Sequence, residues 1–347
     1  MKENRSKLHI IANCANRKRV PPETELKSIS HTAAVEERAT AWWKKLNAAS
    51  APNSQDGNLF QEDDGRIKVK NLYVGSYWAT IRNLPQIAEV SGFDSSLWVI
   101  SAGYGLISSD DQINSYSATF TPGNENSITN SEKEVTYRNK ILRQWWNKIS
   151  GFSLPNNSSP RKISQLLREN SNDKFLIVAS ADYLSAIEED LLEGVSRLDS
   201  LDNILIITSK SFSNDKLQHN IVPADARLQC NSNCEGNCET HLVPRGVRGT
   251  ISAALAATII KKAKETGFNA QTIKQFVEKR IKESPNLISF DRTRLNDDEV
   301  RKFINKESKA LPSASCSFLL RKMRNEGLAC EQKRFKSIYW ATKGRMA

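Results

Sequence analysis

Trp98-Val-Ile-Ser-Ala-Gly-Tyr-Gly-Leu-Ile-Ser-Ser-Asp-Asp-Gln-Ile-Asn-Ser-Tyr-Ser-Ala-Thr-Phe120 decides the reading of this chain: a short apolar strand runs straight into a Gly-flanked turn crowded with Tyr, Ser and Asp. In open α/β sheets ligands sit beyond the carboxyl ends of strands, where glycine lets backbone approach and short polar side chains supply donors and acceptors. Two further segments share the pattern. His9-Ile-Ile-Ala-Asn-Cys-Ala-Asn-Arg-Lys-Arg19 opens a strand into a polar, basic turn, and Phe175-Leu-Ile-Val-Ala-Ser-Ala-Asp-Tyr183 repeats strand, small residues, Asp and Tyr. The three turns are expected to rim one site.

Around them strand and helix alternate. Strands are expected at Leu8–Asn13, Leu97–Ser101, Phe175–Val178 and Ile204–Thr208, and helices at Val35–Leu46, Leu72–Val90, Glu132–Ile149, Ile163–Arg168 and Tyr183–Leu192. This βα alternation predicts an α/β fold with a parallel central sheet and helices on both faces. A length of 347 residues suggests about two domains. From Ala270 onward amphipathic helices replace strands, so an α/β domain over 1–265 and a basic helical module over 266–347 are expected. Between Ser313 and Trp340 a helix, a Gly327 stop and a second helix start give a helix-turn-helix-like pattern. Phe318, Leu319, Met323 and Leu328 would form its apolar seam, with Arg321, Lys322, Arg324, Lys333, Arg334 and Lys336 facing outward.

The net charge of +11 is informative through its location: Lys261–Ala347 holds 21 Lys and Arg against 10 Asp and Glu, while residues 1–260 hold 29 of each. A C-terminal module facing a polyanion, with nucleic acid foremost, is one reading, and a solvated basic face is the other. The longest apolar run, Ile251–Ile260, is far short of a membrane span and reads as a buried helix. The N-terminus lacks a small-residue cleavage site, so no secretion signal and a cytoplasmic location are expected.

Cys230, Cys234, Cys238 and His241 place three thiols and an imidazole in a loop rich in Asn, Gly and Glu. That donor set matches a closed structural zinc site. An iron–sulfur cluster with Cys14, Cys316 or Cys330 as fourth thiolate, and plain thiols, are the alternatives. No organic cofactor is expected. Val243-Pro-Arg-Gly-Val-Arg-Gly-Thr250 precedes the Ile251 helix, so Arg245, Arg248 and the first-turn N–H groups could hold a phosphate. The same stretch also reads as a loop capped by Thr250. Asp110 and Asp111 either activate water and stabilise a positive sugar ring at a strand end, or simply form a turn; Asn16 and Asp182 carry the same ambiguity. His9, His31, His219 and His241 show no motif-like spacing, so no Ser–His–Asp arrangement is predicted, and the tryptophans read as core.

Leu72-Tyr-Val-Gly-Ser-Tyr-Trp78, Ile100-Ser-Ala-Gly-Tyr-Gly-Leu-Ile107, Asp110-x2-Ile113-x2-Tyr116 and Val178-Ala-Ser-Ala-Asp-Tyr183 resemble, in order, a bacterial family of α/β domains. That family is similar to the peroxide-stress DNA-binding proteins and, more distantly, to the uracil-DNA glycosylase-like fold, over about residues 8–210. The resemblance implies a three-layer fold and nucleobase recognition. With a basic helical tail, the plan resembles the antiphage DNA glycosylases that remove glucosylated hydroxymethylcytosine. Where such glycosylases carry Gly-x-Asp-Pro-Tyr, this chain has Asn13-Cys-Ala-Asn16, and His-Pro-Ser-Pro is represented only by His241-Leu-Val-Pro244.

The expectation is therefore a DNA glycosylase that takes a modified base from double-stranded phage DNA, in antiviral defence. Asp110 would stabilise the sugar or orient water, Asn16 would hydrogen-bond the base, and Tyr104 or Tyr116 would stack on it. Arg17, Lys18, Arg245, Arg248, Arg321, Arg324, Lys333 and Arg334 would hold phosphates. A DNA-binding protein without catalysis and a tRNA base-exchange enzyme are the alternatives.

Overall fold

The structure, a computed structural model, describes residues 5–23, 26, 31, 33–48, 66–130, 133–153, 159–209, 211–228, 248–284 and 291–344. The expected Cys230, Cys234, Cys238 and His241 ligands and Arg245 lie outside the described residues, as do the side chains of Arg248 and Lys333. The chain divides into two units, Met1–Asn286 and Leu287–Ala347.

The first unit is built on β1 (Lys7–Asn13), β3 (Asp94–Ser101), β4 (Gly105–Ser108), β6 (Lys174–Val178), β7 (Ile204–Thr208) and β8 (Ile221–Pro223), with the short β2 (Ile67–Lys68) and β5 (Gln112–Ile113) paired apart. The large sheet runs β4-β3-β1-β6-β7-β8, all parallel except β4. Continuous apolar strands suit burial on both faces of a parallel sheet. Ile10, Ile11, Ile177 and Ile206 are fully buried, each such side chain contributing about 1.5–3 kcal/mol of transfer free energy.

Helices complete the layers, compatible with a three-layer α/β fold. They are α1 (Val35–Ala48), α2 (Val69–Leu72), α3 (Ser76–Val90), α4 (Val135–Ile149), α5 (Ile163–Glu169), α6 (Ala181–Val195), α7 (Arg248–Thr266) and α8 (Ala270–Glu283). One set joins α3 to α7 along the strands, and the other joins α4 to α1 and α6. Trp42, Trp78, Trp145 and Trp146 are buried within this unit. The unit reaches past the expected boundary at 265/266 because α8 buries Ala270, Ile273, Val277 and Ile281 in the main core.

Two local departures from the expected elements shape the site. The helix expected over Leu72–Val90 is broken at Tyr73–Gly75, where Gly75 takes a φ of 108° that favours glycine. The turn after β3 does not end a strand at a pocket mouth. It is a tight hairpin in which Ser101 pairs with Gly105 and Trp98 with Ser108, so β4 carries the chain back along β3.

The second unit comprises α9 (Asp297–Ala310), α10 (Cys316–Asn325) and α11 (Gln332–Thr342), with a short parallel pair of β9 (Thr293–Arg294) and β10 (Leu328–Ala329). Asn296 and Glu299 cap α9 reciprocally, and Ser315 caps α10. Its core gathers Val300, Ile304, Leu319, Met323 and Phe335. Phe318, expected in the apolar seam, is instead 47% exposed, since Leu319, Leu320 and Met323 form the inward face of α10. No helix among the described residues is long and apolar enough to cross a membrane.

Candidate functional site

β1 and β6 are sheet neighbours from which the chain departs to opposite sides, towards β3 from the one and β7 from the other. Such a switch point sets the ligand crevice of an open α/β sheet at the strands' carboxyl ends. The two ends are tied together by side chains. Asn13 donates from Nδ2 to the Cys14 carbonyl (2.9 Å) and accepts the Ser180 N–H at Oδ1 (3.1 Å). The Tyr77 hydroxyl, on the first turn of α3, donates to the Asn13 carbonyl at 3.1 Å.

Five of the seven tyrosines gather here: Tyr73, Tyr77, Tyr104, Tyr116 and Tyr183. Ser101 Oγ accepts the N–H groups of Gly103 (3.2 Å) and Tyr104 (3.0 Å), which fills its acceptor positions. Its proton therefore goes to the Tyr116 oxygen at 2.6 Å, and the Tyr116 proton goes on to Tyr73 at 2.9 Å. Alongside this chain, Tyr183 Oη lies 3.1 Å from Cys14 Sγ and 3.4 Å from Thr119 Oγ1. Burial pushes the Tyr73, Tyr116 and Tyr183 phenols well above the ordinary tyrosine range, so all three are neutral donors.

The hairpin at the β3 end is held through its carbonyls. Trp145 donates to Ala102 O (2.8 Å), Trp42 to Gly103 O (2.9 Å), and the Arg161 guanidinium to Tyr104 O and Leu106 O. Every one of these buried acceptors is thereby satisfied. Burial lowers Arg161 to about 10. Gly103 is required by space: a Cβ there would lie 2.6 Å from the Tyr116 ring.

Lys18 completes the cluster. A bridge between Lys18 and Tyr73, with Arg19 N–H on Leu72 O (2.8 Å) and Val74 N–H on Arg17 O (3.0 Å), lays the β1 turn along the break between α2 and α3. Lys18 Nζ then sits 4.4 Å from the Tyr116 ring centroid and 5.7 Å from that of Tyr73. Burial lowers its ammonium pKa. No carboxylate among the described residues forms an ion pair with it.

The structure thus brings together Lys18, Tyr104 and Tyr116, with Asn16 and Arg17 exposed on the same β1 turn. Tyr104 and Tyr116 are 3% and 0% exposed and pack edge-on at 5.2 Å, so they form a wall and not the open stacking platform expected. Asp110 is not part of this site. The β4 hairpin returns it towards the amino end of β3, where it is exposed and paired with Lys70 at 2.6 Å. Asp111 accepts the Ser108 N–H at 2.8 Å, as a turn-former does. A carboxylate that does stand just beyond the carboxyl end of β6 is Asp182, half-buried in the first turn of α6, its pKa raised by burial and partly offset by Arg138.

The first turn of α7 lies beside α3: Ser76 Oγ is 3.4 Å from Thr250 Oγ1, and Gly249 sits against the Tyr77 ring. Thr250 is inside α7, which begins at Arg248, so it is not the helix cap. Sequence spacing missed Tyr77, Tyr183 and Cys14 as partners. Their shared signal was position, each standing at or just beyond a strand end or opening a helix.

A second polar network lies towards the amino ends. Buried His9 bonds through Nε2 to Asp173 Oδ2 (3.0 Å) and through Nδ1 to Ser96 Oγ (2.9 Å), so a Ser–His–Asp chain that the spacing did not predict does form. Trp98 Nε1–H points at the same Nδ1 (3.3 Å), making that nitrogen an acceptor and placing the proton on Nε2. This network joins β1, β3 and the start of β6. Among the described residues no group of His, Cys, Asp and Glu could hold a metal ion.

Fold and site together define an open α/β protein with a hydroxyl-rich cluster at the switch point of a mostly parallel sheet. Compared with protein-family models, curated proteins and solved structures, the chain shows no match.

Proposed function

We propose that the protein is a DNA glycosylase of the uracil-DNA glycosylase-like fold that releases a modified base from double-stranded phage DNA, in antiviral defence in the cytoplasm. The observation that supports this reading is the gathering of Lys18, Tyr73 and Tyr116 at the carboxyl ends of β1 and β3, with Asp182 on the first turn of the helix that follows β6. In this reading a flipped nucleotide meets the β1 turn, where Asn16 hydrogen-bonds the base and Arg17 and Lys18 meet its phosphates. Asp182 takes the role expected of Asp110, stabilising the cationic sugar or orienting water. The start of α7, with Arg245 and Arg248, takes a flanking phosphate. Cys230, Cys234, Cys238 and His241 hold a structural zinc ahead of that helix, a role to which three thiolates and one imidazole are suited. The second unit acts as a helix-turn-helix-like module on the DNA backbone.

The test is to incubate the purified protein with phage DNAs of different base modification and with plain duplex, then treat with alkali. Strand breaks confined to one modified DNA are expected, and their absence from all of them removes the enzymatic reading. A DNA-binding protein without catalysis is the second reading. It is favoured by the mutually satisfied tyrosine hydroxyls and by the distance of Asp110 from the switch point.

A further inference from the structure

The basic residues of the second unit are not equivalent. Residues 287–347 carry fourteen Lys and Arg against seven Asp and Glu, but several of these cations are neutralised within the unit. Arg334 is held by Asp297 (Nε to Oδ1, 2.6 Å), Lys322 by Glu307, and Arg301 by Asp298 (2.7 Å). By contrast, Arg321 and Arg324 form no ion pair among the described residues and line one cleft of about 280 Å³ together with Arg292, Ser317, Asn325 and Gln332, with no carboxylate among its described lining residues. Arg292 is fixed in place by donating from Nε to the Arg324 carbonyl at 3.0 Å.

The Arg321 and Arg324 guanidinium groups at one cleft repel each other, and water screens that repulsion less where they converge. An anion seated among them relieves it, and the planar fork of arginine matches phosphate oxygens in pairs. Ser317, Asn325 and Gln332 add neutral hydrogen-bonding groups at the rim. Phe318, 47% exposed and one helical turn before Arg321, offers an apolar face on the same side of α10. A lone inorganic anion has no use for that face. A phosphodiester with its sugar does.

We propose that the cleft lined by Arg292, Arg321 and Arg324 seats a backbone phosphate of duplex DNA, with Phe318 against the adjoining sugar, and that Arg334 takes no part. This rests on the DNA reading given above and identifies the surface of the second unit that meets the backbone.

The experiment measures binding of the full chain to a plain duplex by fluorescence anisotropy across a salt series. It uses the wild type, the double variant Arg321→Gln/Arg324→Gln, and Arg334→Gln. Each lost phosphate contact lowers the slope of log affinity against log salt by about 0.9, so the double variant, which loses the one phosphate seated in the cleft, is expected to lose roughly 0.9 and to bind at least tenfold more weakly. Arg334→Gln is expected to keep the wild-type slope while melting earlier. A double variant with wild-type slope and affinity overturns this proposal but leaves the DNA reading standing. A wild type that binds no duplex even at low salt removes both. Inorganic phosphate supplies the remaining arm: if it raises the melting temperature of the wild type but not of the double variant, while neither binds duplex, the cleft is a free-anion site and the backbone proposal fails. Arg321 is exposed, and circular dichroism checks that the variants fold.

Discussion

The Tyr183 hydroxyl lies 3.1 Å from the Cys14 sulfur, joining the residue that follows β1 to the first turn of α6 across the switch point. The same hydroxyl reaches Thr119 at 3.4 Å, so one oxygen links three separate chain segments. Replacing Tyr183 by Phe keeps the ring's edge-on packing with Phe120 but strips both partners of their contact. Thr119 Oγ1 still accepts the Thr121 N–H at 3.2 Å, so the loss is that of one side-chain hydrogen bond, about 0.5–1.5 kcal/mol. Urea unfolding of Tyr183→Phe should show that loss with an unchanged m-value. An unchanged midpoint means that the hydroxyl holds nothing together.

Gly103 faces a harder constraint. A methyl group there meets the Tyr116 ring carbons at 2.6 Å, and Tyr116 in turn carries the contact with Lys18 and the bond to Ser101. Gly103→Ala must therefore displace the ring, at about 1–3 kcal/mol for overpacking. Loss of stability should come with altered near-ultraviolet circular dichroism from the tyrosine cluster. A variant with wild-type signal and melting point contradicts the close approach.

Hydrophobic periodicity disclosed four of the five parallel strands of the large sheet and most helices, missing only the three-residue β8 among those strands, because strands buried on both faces read as plain apolar runs, as at Ile204–Thr208. The three turns at the ends of β1, β3 and β6 were legible for the same reason: each run stops abruptly at small or polar residues. The β3–β4 hairpin was not. Gly-Tyr-Gly reads equally well as a pocket loop or as a reversal, and only the pairing of Ser101 with Gly105 decides between them. That one choice moved Asp110 from the expected site to the opposite end of β3. The Tyr73–Tyr116–Ser101 chain was likewise hidden, since hydrogen bonds between distant side chains leave no periodic trace. Phe318 misled in the other direction: an aromatic residue within an amphipathic helix counts as core by type, whereas its rotational position puts it on the surface.

His9 predicts an acid-sensitive fold. Burial lowers its pKa below the ordinary 6.5, more than the nearby Asp173 and Asp94 raise it, and Lys7 adds to the lowering. Above 6.5 both the folded and unfolded chains hold a neutral imidazole, and stability is indifferent to this group. Below it the unfolded chain takes up a proton that the folded chain refuses, so stability falls as pH drops from 6.5 towards the lowered value. His9→Gln, which can still donate to Asp173, should be less stable at neutral pH but should lack this component of the decline. Denaturant midpoints from pH 7.5 to 5 measure the difference, and parallel curves for the two proteins exclude His9 as the cause.

The two aspartates give the decisive comparison for catalysis. Asp182 lies at the carboxyl ends, where burial raises its pKa, while Asp110 is exposed and paired with Lys70 on the other side of the hairpin. If base release depends on an ionised carboxylate at the switch point, Asp182→Asn should lower it about 100-fold or more while duplex binding persists, in the range for loss of a general base. Asp110→Asn should lose only an exposed ion pair, about 0–1 kcal/mol of stability, and keep the wild-type rate. The raised pKa of Asp182 adds a pH signature: activity should fall off on the acid side at a higher pH than an ordinary aspartate gives, and Asp182→Asn should abolish that limb. Alkali-induced strand breaks, measured against time and pH for both variants, provide the readout. Activity lost in Asp110→Asn and retained in Asp182→Asn would move the chemistry to the amino ends of the sheet, beside the cleft of about 1290 Å³ that Lys70, Arg82 and Asp110 help to line.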